Sequence, residues 1–554
     1  MRSTLVALSA LALSTALALL SPARTAPPAD SPHRSPTELA LLPGGRALTA
    51  NHTSGSVSLI DLNAGKVLAE APCGSKPVAV ACTRDGRRAA VSNLWSGTVS
   101  FFDVGRDSLK AAGAVAVGPF PRGLAFAADG RLYAAVSGRD EVVEVSPAGK
   151  VTHRWPAPRE PRALALSADG AWLAAASSRS AQVRLWDTKT HKLAWERKIE
   201  DAFNLRGLAF TPDGKHVVCA HHIRRDFPVS MGTIDKGWVI DSRLTRFPLR
   251  ADAEPPLEQV ALDKWQQAVG DPHGVAFTPD GRRLTVTAAG THELLVFDAA
   301  ALPWTGGEPG DFLAHDLESD DAKFSRLRLG GRPMGLAYLP DGAAVTANYL
   351  LDAVQVIDLK RGQVRRTVAL GGPAKPSPVR QGEALFYDAR RSHNQWFSCH
   401  SCHVDGHTCH MNFDTLNDDS YGNAKLTPSL RGVTRTGPWT WHGWQKDLGD
   451  AVRKSYTETM FGPDEPTDAE VRAVVAFLGT LDHLPNPNLT NGKMSAAAKR
   501  GQAVFEGKAK CARCHQPPEY TSELNHDVKL EADGSPFKRW SPPTLRGVWD
   551  RGPF

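Results

Sequence analysis

From Ser35 to about Gly372 one hydrophobic–polar pattern recurs: a short apolar strand, a tight turn, a second strand, a polar stretch, then a strand ending in Asp. The turns are Asp85-Gly86, Asp129-Gly130, Asp169-Gly170, Asp213-Gly214, Asp280-Gly281 and Asp341-Gly342, with Gly44-Gly45 in the same slot of the first copy. Asp-Gly between alternating runs predicts a hairpin, and a type I′ turn would need positive φ at both central residues. The closing strands are equally regular, as in Val57-Ser58-Leu59-Ile60-Asp61, Val99-Ser100-Phe101-Phe102-Asp103 and Val354-Gln355-Val356-Ile357-Asp358. Turns from Asp85 to Asp213 are spaced by roughly 40–44 residues, the length of a four-stranded propeller blade. Seven copies predict a closed seven-bladed all-β ring over 35–372, since closure removes exposed sheet edges.

Two gaps are longer and place insertions at roughly 224–272 and 303–329, in blades five and six. Insertions in repeat proteins map to one face and often bind. We expect these to pack on the C-terminal third of the chain; the alternative is variable surface loops. The repeat resembles the YVTN-type seven-bladed β-propellers, a likeness that implies a scaffold and little chemistry.

Past Gly371-Gly372-Pro373-Ala374-Lys375-Pro376-Ser377-Pro378 the texture changes. That turn-rich stretch is read as a linker over 373–378. Helical spacing begins in 379–392 and recurs in 468–481 with Thr467 as N-cap, and in 495–507 with Ser495 as N-cap. Two tandem all-α units are predicted, at 379–490 and 491–554. They are copies of each other: Thr427-Pro428-Ser429-Leu430-Arg431-Gly432-Val433 matches Pro542-Pro543-Thr544-Leu545-Arg546-Gly547-Val548, and Gly437-Pro438-Trp439 matches Gly552-Pro553-Phe554. The first unit continues past this match and the second does not, so the second reads as C-terminally incomplete.

Each unit carries C-x-x-C-H, at Cys399-His400-Ser401-Cys402-His403 and at Cys511-Ala512-Arg513-Cys514-His515. Two thiols one helical turn apart lie on one face and can both form thioethers to haem vinyl groups. The histidine after the second thiol is then held under the porphyrin as an iron ligand. The predicted cofactors are two c-type haems, attached through Cys399, Cys402, Cys511 and Cys514, with His403 and His515 on iron. Zinc and redox-dithiol readings compete, but a zinc ribbon separates its pairs by about 15–20 residues, and neither rival needs a histidine at the same place twice.

The two motifs, the paired Leu-Arg-Gly-Val segments and Gly382-Glu383-Ala384-Leu385-Phe386-Tyr387-Asp388 resemble the bacterial di-haem cytochrome c peroxidase family, which includes the di-haem enzyme of methylamine utilisation. The resemblance covers about 379–554. It implies one haem that receives electrons and a second, with an open iron face, that reduces hydrogen peroxide. It also implies a distal methionine, here Met460, for which His442, His407, His410 and Met411 are rivals; a core methionine is the plainer reading. Two departures weigh against simple peroxidase chemistry. The family's Trp-Asp-Gly reads Trp441-His442-Gly443, and its Leu-Glu-x-Gln reads Leu448-Gly449-Asp450-Ala451. Peroxide cleavage needs a positioned group to move a proton, and only Trp441 and His442 stand as weak catalytic candidates. Trp441 is either an electron conduit between the haems or a buried aromatic.

Composition narrows the class further. A net charge of +6 over 554 residues, with both signs interspersed, points to no nucleic-acid partner. Arg2, the apolar run from Leu5 to Leu20 and Ser21-Pro22-Ala23 form a signal peptide over 1–23, with a linker over 24–34 after it. An uncleaved anchor is the alternative, and no span is expected in the mature chain. Export fits haem attachment, and the expected location is periplasmic or extracytoplasmic. His216, His221 and His222 could suggest a metal, although such histidines are more often surface or core. Cys73 and Cys82 could pair; with Cys219 and Cys409 their state is left open.

The expected function is a di-haem c-type oxidoreductase of the peroxidase class, fed by a small donor protein such as a cytochrome or cupredoxin. The alternative is an electron-transfer cytochrome whose propeller binds a partner, without peroxidase activity. A quinoprotein-like dehydrogenase using the propeller funnel is a third reading, with no cofactor site marked for it.

Overall fold

The computed structural model describes residues 32–249, 256–306, 310–490, 492–530 and 536–551. The signal segment, residues 24–31 of the 24–34 linker and the Gly552-Pro553-Phe554 repeat lie outside them. No helix among the described residues is long and apolar enough to cross a membrane.

Seven antiparallel sheets succeed one another in chain order, opening on inner strands Pro36–Leu42, Pro77–Cys82, Pro121–Phe126, Pro161–Leu166, Leu208–Phe210, Pro272–Phe277 and Pro333–Tyr338. Each inner strand lies beside the next, and the seventh returns to the first, so the ring closes. Inner strands read as Pro121-Arg122-Gly123-Leu124-Ala125-Phe126 or close variants. The small third residue is required by packing: a Cβ on Gly123 would meet the Arg162 carbonyl at 2.7 Å, and one on Gly274 the Met334 carbonyl at 2.6 Å. Between blades, apolar side chains such as Leu48, Val57, Val91 and Phe102 are fully buried, each worth roughly 1.5–3 kcal/mol.

The hairpins are not type I′ turns. Of each Asp-Gly pair only the glycine has positive φ, for example Gly86 at 67° and Gly281 at 70°. Gly86 N–H donates to Thr83 O at 2.8 Å, and Asp85 Oδ1 accepts from Thr83 Oγ1 at 2.6 Å and Arg87 N at 3.1 Å. Those bonds hold the aspartate in an ordinary conformation, giving a type I turn closed by a left-handed glycine. Gly44-Gly45 alone has positive φ at both positions, 80° and 73°.

No blade is shared between the chain's ends, so a polar clasp ties them. Asp352 in blade seven accepts from Ser35 N at 2.7 Å and contacts His33 Nδ1 at 2.5 Å. Arg380, in the first helix after the propeller, reaches Ser35 Oγ at 3.0 Å and Tyr349 O at 2.7 Å.

The C-terminal region is less helical than two all-α units would be. Beyond Pro378–Phe386, Leu448–Lys454, Asp468–Leu478 and Ala496–Glu506 it consists of single turns and extended segments, with two-residue strands at Asn412–Phe413 and Lys425–Leu426. Gly422, Pro428, Gly432, Pro438 and Gly443 interrupt the stretch between the first C-x-x-C-H motif and Leu448. Ser377, Thr467 and Ser495 cap their helices, the last two as spacing predicts. Helices Pro378–Phe386 and Asp468–Leu478 cross at Gly382, where any Cβ would collide with the Ala473 carbonyl. Gly382→Ala is expected to cost about 1–3 kcal/mol by overpacking, read as a fall in the thermal midpoint of the C-terminal region.

The blade-five insertion packs on the first C-terminal unit, as expected. Trp396 donates its indole N–H to Ile240 O and sets its ring edge near Gly237. Asp235 accepts from Asn394 Nδ2 at 2.7 Å, and Val229 N donates to Asp414 O at 2.7 Å. Val229, Ile234, Val239 and Ile240 share one core with Phe386, Trp396, Phe397 and Tyr456. The blade-six insertion backs this contact through Asp311, which accepts from Arg225 at 3.0 Å and Trp238 Nε1 at 3.1 Å.

Candidate functional site

The first C-x-x-C-H forms the short helix Cys399–Cys402, with Ser398 at its N-cap. Ser398 Oγ and Ser401 Oγ both donate to the carboxylate of Asp271, each at 2.7 Å. Asp271 belongs to the propeller, immediately before the inner strand of blade six, and takes the left-handed region with φ of 52°. His222 Nε2 approaches it at 3.4 Å and His400 Nδ1 at 3.6 Å. Burial opposes its charge, but the hydrogen bonds and charges of His222 and His400 hold the carboxyl well below its usual range. The helix carrying the thiols is therefore anchored on the β-scaffold.

Cys399, Cys402 and His403 face a cavity of about 320 Å³, which Met460, Tyr456, Trp439 and Trp441 also line. His403 Nδ1 lies 2.9 Å from Pro428 O. Donation to that carbonyl fixes the tautomer and leaves Nε2 with the lone pair, as a metal-bound imidazole requires. Burial brings the His403 pKa down to about 4, so the ring is neutral near pH 7. Burial also pushes the Cys399 thiol up to about 11. Met460 is buried, and its sulfur stands 4.0 Å from Cys399 Sγ. It comes directly after a π-helical turn, Ser455–Thr459, closed by Met460 N donating to Ser455 O at 2.9 Å. Such a turn adds a residue to the helix and re-aims the next side chain.

The rival ligands lie elsewhere. His407 hydrogen-bonds Ser429 Oγ at 2.8 Å and faces Asp550 at 3.4 Å. His410 sits edge-on to His407 at 5.7 Å, and Met411 packs beside the shared core. His442 is buried in an aromatic wall: its ring stacks on Phe537 at 4.9 Å and lies 4.4 Å from Trp540. Trp441 lines the cavity and donates to Leu426 O at 3.0 Å, and its ring meets Trp540 edge-on at 6.3 Å. The two weak catalytic candidates thus occupy opposite sides of one wall between the units. Leu448 and Ala451 face the cavity and Asp450 is exposed. Gln445 and Asn417, which sequence reasoning missed, supply polar lining; neither stands in a recognisable motif.

The second motif is more open. Cys511–Arg513 makes a single 3-10 turn, with Cys511, Cys514 and His515 half-buried. His515 Nδ1 lies 3.1 Å from Tyr520 O, the same tautomer-fixing arrangement with a different carbonyl. The expected counterpart of Pro428, Pro543, instead lines the first cavity with Pro542 and Thr544. This unit docks on the propeller through Trp549, stacked on Phe120 at 5.4 Å, and on the first unit through Asp550, which accepts from Arg431 at 2.8 Å.

The donor set fits a c-type haem at the first site: two adjacent thiols, a neutral oriented imidazole and a thioether around one apolar cavity. A shared zinc site does not fit, because no three or more His, Cys, Asp or Glu among the described residues converge to hold a metal. None of the eight cysteines, Cys73, Cys82, Cys219 and Cys409 included, is paired in a disulfide. His221 is a core residue bonded to Thr245 Oγ1 at 2.7 Å, and His216 is half-buried on the same strand.

Comparison with known proteins gives four findings. Residues 149–187 match the WD domain, G-beta repeat. Hydrazine synthase subunit beta of Kuenenia stuttgartiensis is 27% identical over 177 residues, 31% of this chain and 45% of that protein. Methylamine utilization protein MauG of Methylorubrum extorquens is 27% identical over 218 residues, 32% of this chain and 60% of that protein. The chain thus spans about half the length of the curated relatives it matches. A solved hydrazine synthase structure from Kuenenia stuttgartiensis superposes with a TM-score of 0.54 at 26% identity, covering 59% of this chain and 96% of that one.

Proposed function

We propose that this chain is an extracytoplasmic haem-dependent oxidoreductase that binds two c-type haems and passes electrons between them, in the manner of the cytochrome c peroxidase class. One observation carries the reading: Cys399, Cys402 and His403, together with Met460 far along the sequence, face a single apolar cavity. The similarity to hydrazine synthase subunits and to a methylamine utilization protein supports an oxidoreductase.

Cys399, Cys402, His403 and Met460 would hold a haem at the first site, which would supply one-electron chemistry there. Haem at Cys511, Cys514 and His515 would supply it at the second. The protein's own part is positional. Pro428 O holds His403 with its Nε2 free, and the π-turn presents the Met460 sulfur. Phe386, Phe397, Leu478 and Val474 exclude water, which strengthens every electrostatic interaction inside. Trp441 and Trp540 put aromatic rings edge-on at 6.3 Å across the unit boundary, and this pair is the conduit we assign to an electron passing between the units. His442 sits in that wall and does not line the cavity, so in this reading its part is to pack the wall. A small redox protein is the proposed donor.

Exported full-length protein is expected to carry two haem masses by intact mass spectrometry. Cys399→Ser/Cys402→Ser should lose one, and Cys511→Ser/Cys514→Ser the other. Turnover of hydrogen peroxide with a reduced donor, and a high-spin absorption band, are expected. An unmodified polypeptide would end the haem reading. Two low-spin haems without turnover would reduce it to electron transfer.

A further inference from the structure

A second and larger cavity, about 700 Å³, lies on the propeller axis beneath the first C-terminal unit. At about 30 Å³ per molecule that is room for on the order of twenty waters. Its floor is apolar, formed by inner-strand residues such as Leu39, Leu124, Leu164 and Leu336. Its upper wall is cationic. The same position at the head of successive inner strands supplies Arg122, Arg162 and Arg206, joined by Arg332 and Lys76.

Six cations line the chamber, Arg431 being the sixth, against four carboxylates, Glu38, Glu383, Asp405 and Asp482. Asp405 accepts from Arg162 at 2.6 Å and from Arg122 and Arg206 at 3.3 Å each, so one carboxylate serves three guanidinium groups. Glu160 takes a second contact with Arg162. Glu383 is engaged by Arg380 at 2.7 Å and Tyr349 Oη at 2.8 Å. Burial lifts the Glu38 carboxyl to about 7, so it brings less than a full charge near neutrality. Arg332 is 4% exposed, makes no ion pair among the described residues, and has no hydrogen-bond partner at Nε. Its guanidinium lies 3.7 Å over the Tyr387 ring and 3.3 Å from His400 Nε2. Burial, then the Arg162 charge beside them, holds both Arg122 and Arg206 down to about 10. Buried cations without counter-charges are costly, and a roomy wet chamber lined by them attracts anions.

We propose that this axial chamber binds a small oxyanion of two or more negative charges, of the sulfate, phosphate or dicarboxylate type, with Arg332, Arg206 and Lys76 as its ligands. Planar guanidinium groups suit such oxygens because they donate two parallel hydrogen bonds. The site is separate from the thiol-lined cavity, and its occupancy does not depend on the haem reading.

Isothermal titration of the full-length protein as exported with sulfate, phosphate and succinate tests this, against chloride at matched ionic strength. At least one dianion should saturate one site per chain and raise the melting temperature where chloride does not. The inorganic and dicarboxylate arms identify the class. Arg332→Gln and Lys76→Gln should each weaken binding about tenfold or more, with Arg332→Lys recovering part of it. Lys76 is the less buried of the two, so its variant keeps the test alive should Arg332→Gln fail to fold. Heats no greater than those of chloride for all three anions, or wild-type affinity in either folded variant, would overturn the proposal.

Discussion

Asp271→Ala is expected to cost about 3–5 kcal/mol, the penalty for removing one partner of a buried charged network. Ser398 Oγ, Ser401 Oγ and the His222 and His400 rings all converge on this carboxylate, and all but the edges of that cluster are shut off from water. Alanine leaves them unpaired and must also adopt φ near 52°, which a short polar side chain tolerates better. Asp271→Asn keeps both the conformation and part of the hydrogen bonding, so it should recover about half of the loss. The effect should be local first. Hydrogen exchange in 396–406 should rise in Asp271→Ala before the propeller strands loosen, and the first haem site should lose occupancy while the second keeps it. A loss under about 1 kcal/mol, or equal loosening of all seven blades, would mean that the Cys399–Cys402 helix is not held by the propeller.

How much of this could be seen in the sequence depends on how local each cause is. Blade number, hairpin positions and the N-caps Thr467 and Ser495 depend on neighbours within a few residues, and pattern alone finds them. The turn type escapes the pattern because the Asp side chain bonds its own loop, a competition that the Asp-Gly signal does not reveal. Asp271 carries no mark of its role, since its side-chain partners lie from 49 to 130 residues away. The axial cations are an intermediate case. Pro121-Arg122, Pro161-Arg162 and Leu205-Arg206 repeat at one blade position, and a repeat read for its charges as well as its turns places them at one mouth of the ring. Asp405, which they grip, has no such phase. Residues 404–446 hold less helix than a pair of all-α units implies, because a C-x-x-C-H motif needs only one turn of helix, and glycine and proline leave turns beyond it.

Replacement of Met460 by histidine is expected to lower the potential of the first site by on the order of 0.1–0.2 V, a part of the ~0.8 V that axial ligands span. A thioether favours reduced iron more than an imidazole does. The decisive variant is Met460→Leu. Leucine conserves volume and apolar character, so in a core position it costs less than about 1.5 kcal/mol. The π-turn that presents residue 460 rests on backbone bonding from Met460 N to Ser455 O and on Asn417 Nδ2 donating to Thr459 Oγ1 at 3.1 Å, neither of which involves the sulfur. Met460→Leu should therefore fold and load haem normally while the first site turns high-spin and its potential falls. An unchanged spectrum and potential would leave Met460 as packing around the cavity and move the distal ligand elsewhere. Because the substitution is almost silent for stability, any spectral change it produces reports on the sulfur itself.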